Sequence, residues 1–463
     1  MQYLFKEVSS LDRRCYEELV LSEDILMEHA ADGMADFIRK RYMPEQRITV
    51  VCGGGNNGAD GIALARLLHG EYGVSLYLPF GARSPMAQLQ KRRAEAIGVV
   101  FDDRLKEADV LVDALFGSGF SRGFDAETAD LLKQMNMMAS EKIACDMPSG
   151  LHLDGTLEAD TFNADVTLTM GALKLGMYSD AAKERVGEIH VQDLGLYRKL
   201  YESSSKWQLL EKKDMWLPYR NAKDSHKGDY GHLGVICGEK EGAAVMAAGA
   251  ALRFGCGLVT LLSNERITIP YELMRSHLLP PATTAIALGM GLGQEFSESE
   301  LSSLLKNELP LLLDADIFSH PMLSDLLQRQ NIILTPHPKE FCILLKRCGL
   351  ADISVNELQK DRFGYVEMFA EAFSHVTLLL KGANVIISGE GRFFINPHGT
   401  NVLAKGGSGD VLSGMAGALL AQGRTPLDAA IGASLAHTAA AALWEKNGYA
   451  FTPFDLIGNL ALL

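Results

Sequence analysis

Around Gly407, Ser408, Gly409 and Asp410, the stretch AKGGSGDVLSGMAGALLAQG sets a glycine turn ahead of a long run of small apolar residues. Backbone amides at a helix start of this kind face an anion. A carboxylate beside them can take the proton of a hydroxyl that attacks a phosphoryl group. The spacing therefore suits phosphoryl transfer, with Asp410 as the base. Three further stretches fit the same chemistry. LLLDAD ends on Asp314 and Asp316, acids that suit magnesium held through water and phosphate. LTPHPKEF sets His337 and Glu340 three residues apart. LLLKGANV places Lys381 before Gly382, Ala383, Asn384 and Val385, where a lysine suits a nucleotide phosphate.

The first half carries a different set. VVCGGGNNGADGIAL lies between a strand pattern and a helix pattern, and Gly53, Gly55 and Gly58 satisfy G-x-G-x-x-G. A dinucleotide cofactor also needs an acid roughly 20 residues on for its ribose. The segment there, LYLPFGA, has none, which weighs against a hydride-transferring dehydrogenase. The unusual part is Asn56 and Asn57 followed by Asp60. DALFGSGFSRGF puts Asp113 ahead of Gly117, Gly119 and Gly123, and CDMPSG carries Asp146 and Ser149. Asn57, Asp113 and Ser149 offer hard oxygen ligands to a cation. Singly, each reads as a cap or turn residue; together they make a site.

These residues must be held by something, and the pattern supplies it. Ser22 caps a helix spaced by Ile25, Leu26, His29, Met34, Phe37 and Ile38. RITVVC, VSLYLPF, ADVLVDALF, KIACDMP, ADVTLTM and GEIHVQDL read as strands. Strands alternating with helices imply a parallel sheet covered on both faces. Near Tyr201 the alternation stops, at a Ser cluster with mixed charges. It resumes with GHLGVIC, the small-residue helix GAAVMAAGAALRFG, and the strands LVTLLS, ATTAIALG, LPLLLDAD, NIILTP, VTLLLKG, VIISG and GRFFINP. The expected domains are 1–205 and 206–463, both α/β.

Composition narrows the classes. The 463 residues exceed one core of about 100–200 residues. With 44 basic against 58 acidic residues the net charge is −14, which disfavours nucleic acid and anionic lipid as partners. The 7 cysteines are scattered, with no C-x-x-C pair, and fit buried thiols in a reducing cytoplasm. The opening MQYLFKEVSSLDRR has no signal-peptide core, and prolines and glycines interrupt the longest uncharged stretch. The expectation is a cytoplasmic protein that acts on small molecules, without membrane or nucleic acid. A homo-oligomer stays open.

GGGNNGADG, DALFGSG and DMPSG, in this order, resemble the NAD(P)H-hydrate epimerase domain over about residues 1–200. DSHKGDYGHLGVICG, ALRFGCGLVT, LDAD, TPHPKEF, LKGANVI and GGSGDVLSG resemble the ribokinase-like NAD(P)H-hydrate dehydratase over about residues 210–463. The fusion is similar to the bacterial bifunctional NAD(P)H-hydrate repair enzymes. The resemblance implies a Rossmann-like three-layer αβα domain followed by a ribokinase-like αβα domain. It implies that Asn56, Asn57, Gly58, Ala59 and Asp60, with Gly117, Ser118, Gly119, Phe120, Ser121, Arg122 and Gly123, hold the hydrated dinucleotide. Asp146 touches the reacting carbon, and Asn57, Asp113 and Ser149 bind potassium. In the second half it implies that Gly291, Gly293, His337 and Asp410 hold the hydrate. Lys381 to Val385 and Gly407 to Gly409 take ADP or ATP, with magnesium near Glu340. Ala59, Met290 and Lys339 depart from the more common Gly, Pro and Gly. The rival is a ribokinase-like vitamin or sugar kinase with a non-catalytic N-terminal binding domain. It leaves GGGNNGADG with DMPSG unexplained.

Overall fold

A computed structural model describes residues 1–121 and 123–463. The chain divides into two compact units: Tyr3–Trp207, and Gln208–Leu463 with Met1–Gln2.

In the first unit, apolar runs buried on both faces form a parallel sheet. Its strands lie in the order Phe101–Asp102, Gly73–Tyr77, Arg47–Cys52, Val110–Ala114, Glu141–Cys145, Val166–Met170 and Glu188–Gln192. Val50, Val112 and Ile143 pack to one face with Ile62 and Ala65 of the helix Asn56–Leu68. Val51, Leu111 and Ala144 pack to the other with Leu132 and Met135 of the helix Ala126–Met137. The chain order reverses between Arg47–Cys52 and Val110–Ala114, and a crevice opens at the carboxyl ends of strands at such a reversal. Both glycine stretches of the first half leave these two strands. A further strand, Gln2–Phe5, pairs in parallel with Leu173–Lys174.

The helix after Cys52 begins at Asn56, so only Gly53–Gly55 remain as loop. Asn56 and Asn57 therefore sit in the first helical turn, earlier than the helix read from the sequence. Ala59 is a buried helical residue outside the positive-φ set, so its extra methyl meets no backbone strain.

The second unit repeats the logic. Met274–Ser276, Leu258–Leu262, His232–Ile236, Ala285–Leu288, Leu311–Leu313, Ile332–Leu334 and Val376–Leu380 run parallel in that order. The order reverses between His232–Ile236 and Ala285–Leu288, ahead of Gly291 and Gly293. Val385–Gly389 and Arg392–Asn396 then join as antiparallel strands, because the links between them are too short for a crossover. The helix Ser408–Ala421 is buried from Val411 to its end. It lies so close to the helix Glu241–Arg253 that a Cβ on Gly414 would stand 2.0 Å from the Ala247 carbonyl oxygen. All seven cysteines are free and six are buried. Among the described residues no helix is long and apolar enough to cross a membrane.

Candidate functional sites

The crevice of the first unit opens into a cavity of about 850 Å³. Its walls are the two loops at the strand-order reversal. They touch backbone to backbone, since a Cβ on Gly53 would stand 2.0 Å from the Leu115 carbonyl oxygen. Gly58 is equally confined, 1.8 Å from the Gly53 oxygen by the same measure. Asn56 lines the cavity and donates its amide to Glu23 at 2.5 Å. The side chains of Asn57 and Asp146 flank Gly117, each with an oxygen 2.8 Å from where its Cβ would be. Any larger residue at 117 would push both aside.

Asp146 is the most heavily held group in this cavity. It sits at φ +70°, a left-handed conformation for a residue with a side chain. One carboxylate oxygen accepts the Ser118 amide at 2.9 Å, and the other accepts the Lys174 ammonium at 2.5 Å. Lys174 is fully buried and spends its other donors on the Thr169 hydroxyl and the Met170 carbonyl, both at 2.8 Å. Burial pushes Asp146 up, but the ammonium and the amides outweigh it and hold the carboxyl below its ordinary value. Asp60, on the helix wall, is pushed well above the ordinary value by burial and by Asp146. Phe120 stands among the rings of Phe116, Phe124 and His152, at 5.1, 5.0 and 4.9 Å. Gly119 has open space where a side chain would be, and Ser118 and Ser121 line the cavity. A Cβ on Gly123 would stand 3.8 Å from the Glu158 carboxylate, and Arg122 lies outside the described residues.

The three oxygens read as a cation site fall into a pair and a neighbour. Asp113 is fully buried and accepts from the Ser149 hydroxyl at 2.7 Å, the Ser149 amide at 2.8 Å and the Leu115 amide at 3.1 Å. The hydroxyl of Ser149 also takes the Phe116 amide at 2.9 Å. Asn57 lies one residue further along that loop, over Gly117. Burial, offset in part by these hydrogen bonds, pushes Asp113 up to about 6, and no lysine or arginine among the described residues compensates it. A buried carboxylate with spare lone pairs and no counter-charge fits a monovalent cation. Among the described residues no cluster of His, Cys, Asp and Glu suits a multi-ligand metal centre.

Asp12, Arg83, Lys174 and Tyr201 are among the cavity residues that carry no motif signature. Asp12 accepts the Tyr201 hydroxyl at 2.7 Å across 189 positions of sequence. Arg83 follows directly on LYLPFGA, the segment searched for an acid; its stem lies 3.0 Å from where a Gly54 Cβ would be. It brings a cation to a loop suited to phosphate.

In the second unit the helix Ser408–Ala421 starts from Gly407 in the left-handed conformation, φ +94°. The amides of this first turn have no intrahelical acceptor and point out of the helix end. Asp410 lies in that turn, so Gly407 rather than the aspartate is the cap. Lys381 reaches the same point, 3.3 Å from where a Gly409 Cβ would be. Its ammonium pairs with Asp314 at 2.7 Å, and Asp314 accepts the Ser413 hydroxyl at 2.6 Å. Ser408 turns its own hydroxyl back to the Leu403 carbonyl at 2.7 Å. Burial and the neighbouring Asp314 push Asp410 up to about 6, against the pull of Lys381. Among the described residues the Asp410 carboxyl has no hydrogen-bond or ion-pair partner, and it stands beside a lysine and the amides of a helix start.

His337 and Glu340 belong to the helix Pro338–Arg347 as a reciprocal cap. The ring nitrogen of His337 accepts the amides of Lys339 and Glu340 at 3.1 and 3.3 Å, and Glu340 accepts the His337 amide at 2.8 Å. This gives both residues a structural task that the sequence reading did not assign. Glu340 is still near the cluster: burial raises it first, and Asp314 and Asp316 add to the rise. Asp316 accepts the Gly293 amide at 3.1 Å, which ties the glycine turn at 291–293 to the acids. Gly382 and Ala383 form the turn between antiparallel strands, with Asn384 buried beside it and Val385 opening the next strand.

Comparison with known proteins matches both halves. A family model described as YjeF-related protein N-terminus matches residues 23–176, and one described as NAD(P)H-hydrate dehydratase matches residues 233–461. The bifunctional NAD(P)H-hydrate repair enzyme Nnr of Helicobacter pylori is 42% identical, with 100% of both chains covered. That of Coxiella burnetii is 36% identical over 100% of this chain and 99% of its own. The solved ADP/ATP-dependent NAD(P)H-hydrate dehydratase of Bacillus subtilis, co-crystallized with ATP/Mg2+, is 30% identical with a TM-score of 0.46, covering 53% of this chain and 92% of its own. The identities of 42% and 36% to the Helicobacter pylori and Coxiella burnetii enzymes, from end to end, mean that this chain belongs to the bifunctional NAD(P)H-hydrate repair enzyme family.

Proposed function

We propose that the Tyr3–Trp207 unit interconverts the two epimers of hydrated NADH or NADPH, and that the Gln208–Leu463 unit dehydrates the S epimer with ADP or ATP. The observation that carries the reading is the pair of separate reactive acids: Asp146 held ionised by Lys174 in one unit, and Asp410, without a partner among the described residues, beside Lys381 in the other.

The chemistry follows from the substrate. The reduced nicotinamide ring contains an enamine, N–C=C, and water adds with its oxygen on the carbon next to nitrogen. Hydroxide leaves poorly. Asp410 takes the proton of that hydroxyl as its oxygen attacks the terminal phosphorus of the nucleotide, and the bond to the nucleotide breaks. The Gly407–Gly409 amides and Lys381 face the charge on the phosphoryl oxygens. Loss of phosphate and of a proton from the adjacent carbon then restores the double bond. Bound magnesium supplies positive charge to the phosphates. The acids Asp314, Asp316 and Glu340 fit it through water, because both Glu340 oxygens already serve His337. The hydroxyl-bearing carbon has two configurations. The first unit exchanges them, with Asn56 to Asp60 and Gly117 to Gly123 around the dinucleotide.

Potassium, bound by Asp113, Ser149 and Asn57, supplies the missing counter-charge at the loop that carries Gly117. Asp113→Ala is expected to weaken potassium dependence and slow epimerisation at least tenfold, leaving dehydration of the S epimer unchanged. Titration of epimerase activity against potassium chloride checks it; an unaltered potassium curve removes the assignment.

The reading as a whole is tested by dividing the chain between Trp207 and Gln208, where the compact units meet in sequence. The first fragment is expected to exchange the epimers without nucleotide. The second is expected to restore reduced nicotinamide from the S epimer alone, with magnesium and ADP or ATP. Two folded fragments with neither activity contradict the division.

A further inference from the structure

Four carboxyl groups line the cavity of the first unit: Asp12, Asp60, Asp125 and Asp146. Three are engaged. Asp12 accepts the Tyr201 hydroxyl, Asp125 accepts the Thr128 amide at 2.8 Å, and Asp146 holds Lys174 and Ser118. Asp60 alone has no hydrogen-bond or ion-pair partner among the described residues. Its place is not accidental, for it stands in the helix that opens with Asn56, over the strand ends that carry Cys52 and Cys145.

The groups facing Asp60 explain its state. Asp12 and Tyr16 come from the helix Ser9–Glu17, Glu23 from the helix Glu23–Arg41, Asp146 from the end of the strand Glu141–Cys145 and Lys174 from the strand Leu173–Lys174. Burial and the three acids raise Asp60 well above the ordinary carboxylate value; Lys174 opposes them and is already committed to Asp146. Asp146 moves the other way. Two carboxyls driven apart by their surroundings give one site both an acid and a base.

We propose that Asp60 is a catalytic acid of the epimerase cavity, working across the substrate carbon from Asp146. The proposal rests on the epimerase reading above. Asp60 gives its proton to the substrate hydroxyl. The C–O bond breaks, its electron pair leaves with oxygen, and water departs. The lone pair of the ring nitrogen forms C=N. Water then adds to the opposite face of the carbon, the C=N pair returns to nitrogen, and Asp146 takes the proton from the added water. One C–O bond is broken and one is made, with no net oxidation. Asp60 ends as carboxylate and Asp146 as acid, the state from which the reverse inversion begins.

The experiment is epimer exchange by the full-length chain against pH, for the wild type and Asp60→Asn. The acid form of Asp60 is required, so the wild-type rate falls as pH rises through its raised pKa. Asp60→Asn is expected to lower kcat by about 10²–10⁴-fold and to abolish that alkaline limb, with KM nearly unchanged. Asp60 is partly buried and has no partner among the described residues to lose, so the thermal midpoint at neutral pH should not fall. A variant that keeps the wild-type kcat overturns the proposal, as does a slow variant that keeps the alkaline limb or a wild type that shows none. A wild type that exchanges no epimers overturns the epimerase reading itself, a result distinct from any of these.

Discussion

Asp410→Asn is expected to abolish most dehydration while leaving the protein folded and the nucleotide bound. The substitution keeps the shape of the side chain and removes its charge and its proton acceptor. Among the described residues the Asp410 carboxyl makes no hydrogen bond, and the helix cap is Gly407, so no structural contact is lost. A general base is worth about 10²–10⁴-fold in rate, and a fall of that size is expected in kcat for NADH recovery. Lys381 and the turn amides are untouched, so nucleotide affinity should hold. The pH dependence gives a second readout. A base works deprotonated, so wild-type dehydration should rise with pH through about 6, the value to which burial and Asp314 push Asp410. In the variant that limb disappears. Stability runs in the opposite sense. Asp410 binds its proton more tightly in the folded state, so its contribution weakens as pH climbs from the ordinary carboxylate value through about 6. Asp410→Asn should therefore be no less stable than wild type at neutral pH. Near-normal NADH recovery would refute the role of the base. Lost nucleotide binding with a lowered melting temperature would mark misfolding instead.

Lys174→Met is expected to damage the first unit in both stability and activity. The ammonium is fully buried and bonded to Asp146, Thr169 and Met170. Its removal leaves a buried carboxylate uncompensated, a change that costs about 3–5 kcal/mol. Epimerisation should fall with it, because Asp146 loses the ammonium that orients it and holds its carboxyl below the ordinary value. The pair acts through a depressed Asp146, so it stabilises the fold above the ordinary carboxylate value and loses that effect as pH falls. The stability gap between wild type and variant should thus close in acid. Adding Asp146→Asn to Lys174→Met removes the stranded charge. The double variant should regain much of the stability and none of the epimerase activity. Denaturant unfolding alongside epimer exchange measures both. Full activity in the single variant contradicts the role given to the pair.

The sequence made the sheets legible, because buried parallel strands read as short apolar runs bounded by glycine and aspartate. It also placed Asn57, Asp113, Asp146, Lys381 and Asp410 at strand ends or helix starts, since those motifs are local. The partners of these residues were not legible. Lys174 meets Asp146 across 28 positions and Tyr201 meets Asp12 across 189, distances over which no pattern of spacing survives. Tyr201 even fell where the alternation stopped, although its ring is buried. His337 and Glu340 show the reverse limit. Their spacing of three is that of a reciprocal helix cap as much as of a binding pair. Only the folded chain shows that they serve the cap.

The central claim is that one chain repairs both epimers, and one time course tests it most directly. The full-length protein is given a mixture of S and R hydrates of NADH, with potassium, magnesium and ADP or ATP, and the returning dihydronicotinamide absorbance is followed. Wild type should restore all of the NADH and release one phosphate per molecule restored. Lys174→Met, which spares the second unit, should restore the S fraction and then slow to the uncatalysed exchange. A wild type that stops at the S fraction, or that accumulates a stable phosphorylated hydrate, contradicts the account.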